Sequence, residues 1–229
     1  MLTILTQIGG IIYLIILLVF RKKQEKRRLK RVLAFTALYL VATFLIVPFV
    51  APIFGREKIK NTEHLQSHFF FYTLANRNYV KPEMNAVLTD VANLFAERHP
   101  DIKVVYYDAC FPFFDRFPLL PHLSHKDGKK VDLALIYKKD GNPTNKKKSV
   151  SGYGAYEEPT SQEVDQNEFC KSRGYFQYDF PKYFTLGTVN ENMELSESVT
   201  ADLINIISAR SEIGKIFIEP YLKQREIKQ

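Results

Sequence analysis

The chain is poor in cysteine: Cys110 and Cys170 are the only two in 229 residues. That scarcity excludes a disulfide-dense scaffold and any zinc site built from four thiolates. Histidine is scarce too, with five in all and none after His125. No internal repeat is evident, which argues against solenoids and propellers. A basic patch interleaved with aromatics is also missing, so the net charge of +7 does not point to nucleic acid. The excess has a local source. Residues 1–54 carry eight Lys/Arg and one Glu, and the other 24 Lys/Arg are balanced by 24 Asp/Glu.

Charge is absent from residues 2–20 and 32–54. Each stretch is long enough to cross about 30 Å of hydrocarbon as a helix. A cleaved signal peptide is the rival reading of the first, but it lacks a basic n-region and a small-residue cleavage site. Between the stretches runs RKKQEKRRLKR, residues 21–31. Such a basic loop marks the cytoplasmic side and would also attract anionic lipid. The expectation is a two-helix membrane anchor over residues 1–58, with the lipid bilayer as partner. Residues 59–229 then form a domain outside the cytoplasm. Gly9-Gly10 allows close helix packing, and Pro48 and Pro52 suit a helix exit.

The outer domain reads as α+β, with helices packed on a small antiparallel sheet. His64 and His68 are four apart, so one helical face could present both, although the glutamate of a zincin pair is missing. Pro82 opens a helix whose Met84, Val87, Leu88, Val91, Leu94 and Phe95 recur at helical spacing, ending near His99-Pro100. A strand is expected over 102–107 and a second helix over 198–213, closed by Gly214. A short strand over 215–218 follows. Residues 175–184 are aromatic-rich and include Asp179 and Lys182; they suit a groove wall or, more commonly, core packing. Cys110 and Cys170 lie outside the cytoplasm on this topology, where an oxidising compartment permits a bridge; spacing does not show that they meet.

The most informative run is 117–137, FPLLPHLSHKDGKKVDLALIY. Asp127-Gly128 is a turn pair, and residues 131–137 read as a core strand. Alternation puts Val131, Leu133, Leu135 and Tyr137 on one face and Asp132 on the other. A carboxylate on a mostly apolar strand must be paired, hydrogen-bonded or metal-bound. The turn brings His125 back as a partner. The pair is either a hydrogen bond that pins a hairpin or two ligands of a metal site. His122, three residues earlier with Ser124 nearby, could support the site or substitute as a ligand, though a loop histidine with no metal role is the commoner case. Arg116 could bind a substrate carboxylate; pairing with Asp115 or Asp108 is the commoner arrangement.

Ser124-His125, with Gly128 three residues on and Asp132 seven on, resembles the first zinc motif of the LAS metallopeptidases. That group includes D-Ala-D-Ala dipeptidases and carboxypeptidases, murein endopeptidases and the hedgehog signalling domain. The similarity spans roughly residues 104–223 and is strongest over 117–137. It implies a zinc-dependent peptidase fold in a bacterial cytoplasmic membrane protein, directed at peptidoglycan peptides, with His125 and Asp132 as metal ligands. The group's Glu-Pro-Trp-His motif has its nearest match in Glu219-Pro220-Tyr221-Leu222, with leucine at the ligand position. The His-x-His of the murein-endopeptidase branch, which follows a strand like 215–218, is absent. The expectation is therefore a truncated or degenerate domain that binds zinc weakly and cleaves little. The second expectation is a non-catalytic envelope protein that uses the fold to bind wall peptides or protein partners.

Overall fold

The computed structural model describes residues 1–22, 25–154, 156–175 and 183–226. The groove-wall segment, with Asp179 and Lys182, lies largely outside them. The chain is α+β, with small sheets that are mostly antiparallel. It forms two compact units that do not follow chain order. The first holds residues 1–60, 70–85 and 107–132, and the second holds 61–69, 86–106 and 133–229.

In the first unit, residues 27–54 form a 28-residue helix long and apolar enough to cross a membrane. Its turns widen to π geometry over Ala42–Ile46, where Val47 donates to Ala42 O. Pro48 explains this: it has no N–H for the carbonyl four residues back, and its ring crowds that carbonyl. The first apolar stretch does not run as one helix. It divides into Leu2–Thr6 and Gly9–Val19, because Gln7 adopts a positive φ of 63°. Gly10 serves that fold-back, since a Cβ there would run into Thr3. Ile8, Ile12, Tyr39, Ala42, Val47 and Ala51 form one buried cluster with Tyr79, and Phe113 packs against it. Strands Glu57–Lys58 and Tyr79–Val80 pair antiparallel, and a one-residue bridge joins Tyr79 to Cys110.

In the second unit, Leu65–Ser67 pairs in parallel with Val104–Tyr106, a departure from an all-antiparallel sheet. Tyr137–Lys139 is the middle strand between Asn142–Thr144 and Glu194–Leu195. The helix Pro82–Arg98 forms where its periodicity places it, and a second runs Glu197–Ser208. The second stops before Gly214, as its last N–H bonds close at Ala209. Residues 215–218 are not a strand: Phe217 is 84% exposed and makes no ladder. Pro220–Glu226 is helical instead, and Leu222, at the ligand position of the resembled motif, is buried as an ordinary core residue.

Candidate metal centre

The site lies entirely in the first unit and is built on a loop running from Asp108 to Asp132. Residues 131–136 do not form the expected continuous strand; only Leu133 makes a one-residue bridge, to Tyr106. Asp132 exchanges backbone hydrogen bonds with Tyr107 and Asp108, at 2.8 Å and 2.9 Å. Two buried arginines hold the loop. Arg77 grips both oxygens of Asp108, at 2.5 Å and 2.7 Å, and donates to Leu120 O at 2.7 Å. Arg56, 1% exposed, binds Phe111 O, Asp115 and Lys126 O. The turn closes at Gly128, whose N–H donates to Cys110 Sγ and whose carbonyl accepts from Lys81. Gly128 sits at φ 74°, and a Cβ there would meet the Lys81 backbone nitrogen at 3.3 Å, so only glycine fits without strain.

Within this frame His125 N–H donates to His122 O at 3.0 Å, a tight turn that sets both rings beside Asp132. Asp132 Oδ2 lies 2.9 Å from His122 Nδ1, and Oδ1 lies 3.1 Å from His125 Nε2. His122, His125 and Asp132 each offer a ligand atom, all within 4.8 Å of one another, and could hold a metal ion. The histidines are buried, and Asp132 is partly open to solvent.

The tautomer follows from the hydrogen bonds. His125 Nδ1 lies 2.7 Å from Ala109 O, a pure acceptor, so Nδ1 carries the proton. In a neutral ring Nε2 then presents a lone pair to a carboxylate. The contact is attractive only if a proton or a cation occupies Nε2. Burial opposes charge on His125, but the hydrogen bond and charge of Asp132, the Ala109 carbonyl and Asp108 outweigh it and raise the pKa. Burial likewise opposes charge on Asp132, yet the hydrogen bonds from His122 and His125 hold its carboxyl far below the usual carboxylate range. Without metal these shifts favour the charged forms of both partners, His125 protonated and Asp132 ionised. A metal competes with the proton for the same nitrogen.

The sequence-predicted ligands His125 and Asp132 are brought together. The third donor is His122, which in the sequence reads more commonly as a loop histidine with no metal role, while the family pattern points to a third ligand near the C-terminal end. Its signal was the three-residue spacing from His125, which a tight turn converts into proximity. Ser124 is exposed and offers its carbonyl to Lys126 N–H at 3.0 Å. Arg116 is exposed, and the acids assigned to it are held by other arginines: Asp115 by Arg56 and Asp108 by Arg77. Those two arginines were missed, as was Tyr72. Burial raises the Tyr72 phenol, and the charges of Asp108, Tyr107 and Asp132 add to this, so it stays a neutral O–H donor near the site.

His64 and His68 do not share a helical face, because Leu65–Ser67 is a strand. The Cys110–Cys170 bridge is not formed. Both thiols are free: Cys110 is buried against Gly128 N–H, and Cys170 accepts from Gln166 at 3.2 Å. No family model, no curated protein and no solved structure matches the chain.

Proposed function

We propose that the chain is a membrane-anchored zinc peptidase of the bacterial envelope, acting on peptide bonds of peptidoglycan. The observation that carries the reading is the three-donor cluster His122, His125 and Asp132 within 4.8 Å, with the far nitrogen of His125 held by a backbone carbonyl. Two imidazoles and one carboxylate, with the remaining position open, suit a catalytic zinc. A carbonyl on the second ring nitrogen is the usual way such a ligand is oriented and made more basic. A bound zinc supplies Lewis acidity toward a carbonyl and toward water. Asp132 is the donor of the three that is partly open to solvent. The Arg77–Asp108 pair lies beside the site, with Asp108 Oδ2 3.8 Å from His122 Nε2. The apolar helix 27–54, preceded by the basic 21–31 run that favours the cytoplasmic side, supports a site outside the cytoplasm.

The second reading is a non-catalytic envelope protein. It is favoured by Asp108, the other carboxylate beside the rings, being held by Arg77 through both oxygens rather than standing ready as a base.

One experiment addresses both. The full chain, purified in lipid nanodiscs, is assayed for zinc content and for release of fragments from peptidoglycan. About one zinc per chain with fragment release is expected for a peptidase. His125→Ala then abolishes both. Zinc without release selects the second reading, and absence of zinc overturns the site.

A further inference from the structure

The site loop and the candidate membrane helix belong to the same compact unit, and their contacts reach deep along the helix. Tyr39 Oη donates to Leu74 O at 2.7 Å, and Asn76 Nδ2 donates to Thr43 Oγ1 at 3.4 Å. Along an α-helix these two positions lie about 22 Å and about 16 Å before Phe54. The hydrocarbon core is about 30 Å thick, some 20 helical residues. If residues 32–51 fill it, the Leu74–Asn76 turn sits below the membrane surface. Backbone at that depth is tolerated only when its polar groups are paired inside protein. The backbone of the turn meets that condition: Ala75 N–H donates to Phe71 O at 2.8 Å, Asn76 N–H donates to Thr73 O at 3.1 Å, and Leu74 O accepts from Tyr39.

The side chains around this turn have the opposite character. Phe70 and Phe71, on the short helix just before it, are exposed, and Phe70 stacks on Phe44 of the membrane helix. The site loop continues the pattern. Phe113 and Phe114 pack on Phe54, with centroids 5.0 Å and 5.3 Å away, and Phe114 is exposed. Phe113 N–H also donates to Gln7 Oε1 at 3.1 Å. Leu120 and Leu123, on either side of His122, are exposed as well. Exposed large apolar side chains continuous with a membrane-spanning helix are the mark of a surface that meets lipid.

We infer that the 113–123 loop and the Phe70–Leu74 helix are seated in the outer leaflet, so that the metal centre draws its substrate from the bilayer: an amphiphile with a lipid tail and a peptide head. The substrate class rests on the peptidase reading above; the seating does not. Holding the substrate in the same membrane raises its effective concentration at the site without any further contact. Seating also explains why His122 is flanked by leucines that nothing in the fold requires to be apolar.

The chain has no tryptophan, so a single introduced one reports its own surroundings. Phe114→Trp and Leu123→Trp, each in the full chain in nanodiscs, are challenged with brominated phospholipid and with aqueous iodide. Strong quenching by the bromolipid and weak quenching by iodide are expected at both positions. The reverse pattern overturns the seating. In parallel, the zinc-loaded chain is given one peptide with and without an acyl anchor. Cleavage about tenfold faster or more is expected for the anchored form. Equal rates overturn the substrate class. No cleavage of either, with bromolipid quenching intact, counts against the peptidase reading while upholding the seating.

Discussion

His125 and His68 start from similar circumstances and are pushed in opposite directions. Each is withdrawn from water, and each has one ring nitrogen on a backbone carbonyl, Ala109 O at 2.7 Å and Val150 O at 3.0 Å. They differ in the remaining surroundings. Asp132 faces His125, and its pKa rises despite burial. Around His68 burial dominates, the Val150 and Ser149 carbonyls compensate only in part, and Lys147 adds a like charge, so its pKa falls. One carboxylate separates a histidine built to hold a cation from one built to stay neutral. The pH consequences are opposite. Without metal, the His125 contribution is fully present below the unfolded pKa and is lost as pH rises through the raised folded value. For His68 the neutral form is favoured, so stability falls as pH drops below 6.5.

The sharpest way to break this contrast is Asp132→Asn. It removes a metal donor and the charge that faces His125. Zinc affinity is expected to fall by about 100-fold or more. In the metal-free variant, NMR titration of His125 should move from above 6.5 to below it, like His68. A His125 that still titrates above 6.5 would show that the Ala109 carbonyl, not Asp132, sets its charge.

Next in size is Arg77→Met. Arg77 and Asp108 are both buried, so removing the cation strands a carboxylate away from water. The expected loss is about 3–5 kcal/mol of stability, measured by denaturant unfolding of the reconstituted chain. Arg77→Met combined with Asp108→Leu should recover much of it. No recovery would mean that Arg77 matters through Leu120 O instead.

A smaller effect belongs to the His68 side. Lys147 is 2% exposed, its Nζ donates to Leu135 O at 3.4 Å, and burial brings its pKa down from 10.5 to about 8. Between those values the unfolded chain keeps a proton that the folded chain has released, so stability rises with pH across the window. Below about 8 both states are charged and the full desolvation cost is present. Lys147→Met should flatten this slope in unfolding measured from pH 7 to 11 and raise the His68 pKa slightly. An unchanged slope would place the titration elsewhere.

The His125 half of this contrast was legible in the sequence; the His68 half was not, because residues 65–67 form a strand where a four-residue spacing suggested a helical face. Asp132 had to be paired because a carboxylate in an apolar run cannot stand alone, and the Asp127-Gly128 turn made His125 its partner. The helix at Pro82–Arg98 followed from its apolar period. Arg56 and Arg77 were invisible: their partners lie 59 and 31 residues away along the chain, and no local pattern encodes a contact at that separation. His122 was visible but under-weighted, because the family pattern drew attention to a donor past residue 218. The break at Gln7 was hidden by uniform hydropathy, which records whether a stretch is apolar but not whether its backbone stays helical.

The central claim is that His122, His125 and Asp132 together form the metal centre, and His122→Ala tests it most directly. The reconstituted full chain and the variant are loaded with zinc, measured for metal content and examined by X-ray absorption at the zinc edge. The wild type is expected to hold about one zinc with two imidazole nitrogens and a carboxylate oxygen among its ligands. His122→Ala, with its fold confirmed by circular dichroism, is expected to lose the ion at equal free zinc. A variant that keeps one zinc, with an unchanged pair of imidazoles in its spectrum, would contradict the account.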